Sequence, residues 1–296
     1  MALTDFTVSA LPLKPVWLKR PIPVRGKKSC VEEVLSRHGL HTVCSAAKCP
    51  NRGECYGLGT ATFLILGDRC TRSCRFCAVD KGDMAPVDSL EPARLVSAVG
   101  TLGLNYVVIT SVTRDDLPDG GASHFASVIV ALKASLPAIR IEVLTPDFLG
   151  DHAAIKTVLA AGPDVFNHNI ETVPRLYQSI RPQAIYERSL AVLQLAAAYR
   201  PTIPVKSGLM VGLGEKPDEV VETMRALFTA GCRIVTIGQY LQPSPDQTAV
   251  QRYVEPVEFA EYERVGLLMG FHRVLAGPFV RSSYHAAEAG NGCSAK

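Results

Sequence analysis

The sequence predicts an α/β protein with a parallel sheet, closed or partly closed like a barrel. Three observations carry that prediction. Six short runs are continuously apolar or β-branched, as strands buried on both faces are: Thr62–Leu66, Tyr106–Ser111, Arg140–Thr145, Val165–Glu171, Val205–Val211 and Ile234–Tyr240. Helical patterns alternate with them over Pro92–Leu102, His124–Ser135, His152–Ala160, Ile185–Tyr199 and Pro217–Ala230. Polar residues gather after the strand ends, where parallel α/β barrels carry their sites; examples are Thr110 to Asp116 and Asn167 to Glu171.

Taken in order, residues 1–29 carry Pro12, Pro15, Pro21 and Pro23, so this arm is expected to be extended. Between Asp5 and Glu32 there is no acid, whereas Lys14, Lys19, Arg20, Arg25, Lys27 and Lys28 all fall there. Such a stretch reads either as a solvated basic arm or as a docking surface for an acidic partner. Glu32 to His38 reads as a short helix, and a cysteine-containing loop follows it. Gly103, Gly162 and Gly231 fall where helices should stop. The tail, residues 251–296, ends in a polar run that includes Arg281-Ser282-Ser283-Tyr284.

With 296 residues and 47% apolar content, the chain is long enough to bury a substantial core. A net charge of +3 offers no bulk electrostatic case for nucleic acid. No secretory signal and no membrane-length apolar run occur, so a cytoplasmic protein without membrane association is expected. In a reducing compartment nine cysteines point to metal binding or catalysis rather than disulfides.

Six of those cysteines lie in two triplets. Cys44, Cys49 and Cys55 are spaced C-x4-C-x5-C; Cys70, Cys74 and Cys77 are spaced C-x3-C-x2-C and directly follow the first strand. A cubane [4Fe–4S] cluster normally takes four thiolates, so three leave one iron open, and an open position is where a metal does chemistry. A zinc knuckle using Cys74 and Cys77 is the structural alternative.

Cys70-x3-Cys74-x-Phe76-Cys77 resembles the signature of the radical S-adenosylmethionine (SAM) superfamily. The resemblance implies a (β/α)6 partial TIM barrel and SAM chelated by the open iron, with Phe76 near its adenine. The reduced cluster then cleaves SAM to a 5′-deoxyadenosyl radical. The first triplet, with Pro50-Asn51-Arg52-Gly53-Glu54 inside it, is similar to the auxiliary-cluster motif of the lipoyl synthase family. That family's C-terminal Arg-Ser-Ser-Tyr motif is matched by Arg281 to Tyr284, and the serine ligand by Ser283. Further matches are Thr110 to Ala122, Asn167 to Val173 and Lys206 to Glu215, so the resemblance spans roughly residues 14 to 287.

The resemblance therefore implies two [4Fe–4S] clusters, one on Cys70, Cys74 and Cys77, the other on Cys44, Cys49, Cys55 and Ser283. A harder oxygen donor makes a weak corner in a cluster. A weak corner suits a cluster that is dismantled to supply sulfur, so Ser283 counts as catalytic as well as a ligand. The implied substrate is an octanoyl-lysine on a lipoyl carrier protein, either a dehydrogenase-complex E2 or the glycine cleavage H protein, with sulfur entering at C6 and C8. A low-potential donor such as ferredoxin or flavodoxin is implied too. Asn169 and Glu171 are candidate SAM or substrate contacts, with His168 pointing the other way. Gly208 and Gly212 resemble a segment packing on the adenine side. Residues 1–58 are expected to form the arm and auxiliary loop, 59–245 the partial barrel, and 246–296 an extension bearing the serine.

Rival readings are another sulfur-inserting radical SAM enzyme, acting on dethiobiotin or tRNA, and an electron-transfer iron–sulfur protein. Cys30, Cys232 and Cys293 match no ligand position; Cys232 is expected to be a small buried hydrophobe.

Overall fold

The computed structural model describes residues 14–19, 30–57, 61–284 and 286–287. Arg20, Arg25, Lys27 and Lys28 of the basic arm, and Cys293, lie outside the described residues.

The six predicted strands form adjacent parallel members of one sheet. They are β2 (Thr62–Ile65), β5 (Tyr106–Ser111), β6 (Arg140–Leu144), β7 (Val165–Asn167), β8 (Val205–Val211) and β9 (Ile234–Gln239). Two strands extend this arc. β1 (His41–Thr42) pairs antiparallel with β2, and β10 (Arg273–Gly277) pairs parallel with β9. The order runs β1-β2-β5-β6-β7-β8-β9-β10 without a ladder joining its ends among the described residues, so the barrel is partial. A separate two-residue pair, β3 (Arg69–Cys70) with β4 (Asp80–Lys81), frames the second cysteine triplet. The strand expected to reach Glu171 stops at Asn167; only a single bridge, Glu171 to Leu209, continues it.

Helices α4 (Glu91–Leu102), α5 (Ala122–Ser135), α6 (His152–Ala160), α8 (Tyr186–Tyr199) and α9 (Pro217–Thr229) cover the outside, each turning aliphatic residues inward. The three predicted stop glycines all adopt left-handed φ, at 64°, 78° and 93° for Gly103, Gly162 and Gly231. Before the barrel lie α1 (Cys30–His38) and two short helices, α2 (Val43–Ala46) and α3 (Arg52–Gly57), which carry Cys44 and Cys55 of the first triplet, with Cys49 between them. The short α7 (Pro174–Ile180) follows β7. In the expected tail, α10 (Pro256–Met269) packs on β10, so residues 256–277 build the sheet's last unit.

The barrel interior is not wholly apolar. Lys206 on β8, fully buried, donates to both carboxylate oxygens of Glu142 on β6 at 2.8 and 3.1 Å. Tyr106 and Asn167 complete the shell of that carboxylate at 2.8 and 3.2 Å. A buried charge needs such partners, because desolvation alone costs several kcal/mol per ion.

Candidate functional site

The second triplet sits in a loop held from several sides. Arg72, between Cys70 and Cys74, is buried and grips Asp115 with a two-pronged pair at 2.7 and 2.9 Å, and Asp147 at 2.6 Å. Those acids follow β5 and β6, so one guanidinium ties the loop to two strand ends. The Asp147 carboxyl is itself buried, yet Arg72 holds it down to about 2. Ser73 bonds Gln183 through backbone and hydroxyl, and Arg75 N–H donates to the Ile180 carbonyl at 2.8 Å.

The sulfurs have the surroundings of metal-bound thiolates. Backbone N–H groups of Thr113 and Arg72 donate to Cys70 Sγ at 3.3 and 3.5 Å. Burial pushes the Cys74 thiol up and the Cys77 thiol up to about 12. Arg181 opposes the rise at Cys74, and a backbone hydrogen bond from Val79 opposes it at Cys77. Thiols this reluctant to ionise by themselves bind as thiolates once a metal displaces the proton. Phe76 packs beside the small apolar cluster of Ile180, Leu213 and Tyr240.

Asn169 and Glu171 meet, as their spacing predicts. Asn169 Nδ2 donates to Glu171 Oε1 at 3.0 Å. Glu171 has a positive φ of 69°, strain that persists at sites where surroundings over-determine the backbone. Burial raises its carboxyl, and Arg181 works against the rise. His168 points away: it contacts the Thr145 carbonyl through Nδ1 at 2.8 Å and Ser189 through Nε2 at 3.0 Å. Gly208 lies under this pair. A Cβ there would come within 2.9 Å of Asn169 Oδ1 and 3.0 Å of Ser282 Oγ, so only glycine lets these groups close in. Gly212 is a tight turn, with φ of 99°, against the Gln239 amide and the Arg252 carbonyl. Its N–H donates to Glu215 at 2.6 Å.

The first triplet has Cys44 on α2, Cys49 in the turn that follows and Cys55 on α3. Cys44 is buried on α2, and its thiol is pushed up by burial against hydrogen bonds with Thr62, the first residue of β2. Cys49 and Cys55 are half-buried, and no disulfide engages any of the six cysteines. The C-terminal residues come back to this loop. Asn51 Nδ2, between Cys49 and Cys55, donates to the Phe279 carbonyl at 2.7 Å. Tyr284 OH donates to Glu54 at 2.9 Å. Thr62 Oγ1 donates to Ser283 Oγ at 2.7 Å, across 221 residues of sequence. Ser282, one residue earlier, accepts from Asn169 Nδ2 at 2.6 Å. Neighbouring serines thus face the two halves of the site.

Sequence reasoning missed Asn51, Glu54, Thr62, Arg72, Arg181 and Gly238 as site residues. Gly238 on β9 is revealing: a Cβ there would sit 2.0 Å from the Val280 carbonyl oxygen, so the returning tail lies directly on that strand. No local spacing signals a contact of this kind.

By its chemistry the donor set fits iron–sulfur clusters: two thiol triplets, amide donors to the Cys70 sulfur, and the Ser283 hydroxyl bonded to Thr62. Buried atoms without partners, Asn169 Oδ1 and Arg181 Nε, stand by the second triplet and suit a polar ligand there.

A family model described as the Radical SAM superfamily matches residues 64–227. Such proteins carry a [4Fe–4S] cluster and SAM. Among solved structures, methylornithine synthase (PylB) aligns with a TM-score of 0.55 at 15% identity, covering 82% of this chain and 74% of that one. The [FeFe]-hydrogenase maturase HydG aligns at 0.56 and 15%, covering 78% and 54%. These two share the fold. Relatives in sequence are much nearer. The lipoyl synthase of Caldanaerobacter subterraneus subsp. tengcongensis is 54% identical over 273 residues, 92% of this chain and 95% of that protein. That of Thermus thermophilus is 52% identical over 275 residues, 92% and 85%. With half its residues shared with such proteins over nearly its whole length, and the radical SAM region inside that span, the chain belongs to the lipoyl synthase family of sulfur-inserting radical SAM enzymes.

Proposed function

We propose that this protein inserts two sulfur atoms, at C6 and C8, into an octanoyl chain on a lysine of a lipoyl carrier protein. When bound, SAM and the reduced cluster on Cys70, Cys74 and Cys77 supply a hydrogen-abstracting radical, and an auxiliary cluster supplies sulfur. Cys44, Cys49, Cys55 and Ser283 hold the auxiliary cluster. Arg72 keeps the SAM-cluster loop on the strand ends. Asn169, Glu171 and the backbone at Gly208 form the polar floor on which SAM is oriented, with Phe76 and the Gly212 turn at its edge. The barrel walls exclude water, which protects a radical from side reactions.

One observation carries this reading above all. The Ser283 hydroxyl, a hard donor from the far end of the chain, lies 2.7 Å from Thr62, which also works against the burial-driven rise of the Cys44 thiol. Electron-transfer cubanes with four cysteines have no use for it.

The carrier is a dehydrogenase-complex E2 or a glycine cleavage H protein, and the electron donor is a ferredoxin or flavodoxin. The basic arm, of which Lys14 and Lys19 are exposed, is the docking surface for the acidic carrier. The setting is cytoplasmic; among the described residues no helix is long and apolar enough to cross a membrane. The division into an arm with auxiliary loop (1–58), a barrel (59–245) and a serine-bearing extension (246–296) follows the same logic.

Anaerobic reconstitution tests the proposal. With octanoyl-lysyl peptide, SAM and reductant, the protein should bind about eight iron per chain and yield a product carrying two sulfurs. SAM cleavage without any sulfur in the peptide would refute it.

A further inference from the structure

We infer that Thr62 is a positioning residue of the auxiliary site, holding the Ser283 oxygen toward the first cysteine triplet. This rests on the reading of Ser283 as the fourth ligand.

Three observations support it. Thr62 Oγ1 donates to Ser283 Oγ at 2.7 Å, so a serine oxygen carrying negative charge on a metal would receive a hydrogen bond. Thr62 also works against the burial-driven rise of the Cys44 thiol, so it stands by an expected ligand from each end of the chain. Finally, Thr62 is buried at 4% exposure and fixed in a sheet: it pairs with Val108 of β5, and its neighbour Phe63 pairs with Thr42 of β1. Ser283 has no such support from its own element, since it lies in a turn. A rigid strand hydroxyl is what a turn residue needs to be held within bonding reach of an iron. Partners of this kind orient metal ligands, and their loss typically weakens metal binding by roughly 10–100-fold.

The test uses full-length protein in which Cys70, Cys74 and Cys77 are each replaced by alanine, so that only the auxiliary cluster is rebuilt. Iron release to a chelator and the electron paramagnetic resonance spectrum of the reduced cluster are measured for four versions: unchanged, Ser283→Ala, Thr62→Val and Thr62→Ser. Valine matches threonine in shape and removes only the hydroxyl. Thr62→Val should release iron roughly tenfold faster and take on the Ser283→Ala spectrum, while Thr62→Ser should behave as the unchanged protein. If Ser283→Ala alters release and spectrum but Thr62→Val does not, the role of Thr62 is overturned and the ligand reading stands. If Ser283→Ala changes nothing, the ligand reading fails, and the role of Thr62 with it. Circular dichroism checks folding; should Thr62→Val misfold, Thr62→Ala gives the same readout by shortening the side chain.

Discussion

Ser282 Oγ lies 2.6 Å from Asn169 Nδ2, although 113 residues separate the two in sequence. Asn169 spends the same amide on Glu171. The C-terminal motif therefore touches the Asn169–Glu171 pair through one serine and Thr62 through the next. Replacing Ser282 by alanine removes the first contact only. We expect iron content to stay at the wild-type level while turnover falls on the order of tenfold, as misplacement of reacting groups does. Iron analysis alongside lipoyl formation checks this. Loss of iron would mean that Ser282 serves the cluster instead.

Gly238 tests whether the tail must lie on β9. An alanine Cβ would meet the Val280 carbonyl carbon and oxygen, at 3.0 and 2.0 Å, and backbone cannot swing aside as a side-chain tip can. Gly238→Ala should cost roughly 1–3 kcal/mol of stability or expel the tail. Expulsion would show as faster proteolysis after residue 277 and auxiliary iron lost as in Ser283→Ala. Wild-type protection would contradict the strand-crossing contact.

The buried Lys206–Glu142 pair makes a prediction about stability alone. Lys206→Met leaves Glu142 charged with only Tyr106 and Asn167 as donors, and should cost about 3–5 kcal/mol. Adding Glu142→Gln should recover part of that loss. Denaturant melts of the two variants suffice; equal destabilisation would mean that the charges are not coupled.

Acid should loosen the molecule through His168. Burial holds its imidazole down to about 4, against an ordinary value near 6.5. The Thr145 carbonyl can only accept, so Nδ1 carries the proton and Nε2 accepts from Ser189. Tyr177 supports Ser189 in turn, and Arg181 donates to Tyr177 at 2.6 Å. Between pH 6.5 and 4 the unfolded chain binds a proton that the folded chain refuses. Stability from this group is thus complete above about pH 6.5 and falls as pH drops toward 4, by roughly 3 kcal/mol in all. Thermal melts across that window should show the decline in wild type and a shallower one in His168→Gln.

Much of this was readable from the sequence, for physical reasons that also mark where reading stops. Strands buried on both faces are apolar runs, so β2, β5, β6, β8 and β9 stood out within a residue of their ends. β10 did not, because Arg273-Val274-Leu275-Ala276-Gly277 is mostly half-buried at the edge of the sheet. α10 was hidden by outward-facing Val257, Leu267 and Leu268, which blur its amphipathic pattern. The two cysteine triplets stood out in the sequence because their spacing is local. The contacts that close the site are not local: Asn51 to Phe279, Thr62 to Ser283 and Gly238 to Val280 depend on where the sheet's ends come to lie. Asn169 and Glu171 fall between these cases, being adjacent on one face yet completed by distant Ser282.

The central claim is that the first triplet holds the sulfur that reaches the substrate. The most direct measurement is the number of sulfur atoms in the peptide product of Cys49→Ala, reconstituted anaerobically and supplied with octanoyl-lysyl peptide, SAM and reductant. With Cys70, Cys74 and Cys77 intact, this variant should still cleave SAM to 5′-deoxyadenosine but return peptide without sulfur. Formation of the complete two-sulfur product by Cys49→Ala would contradict the account.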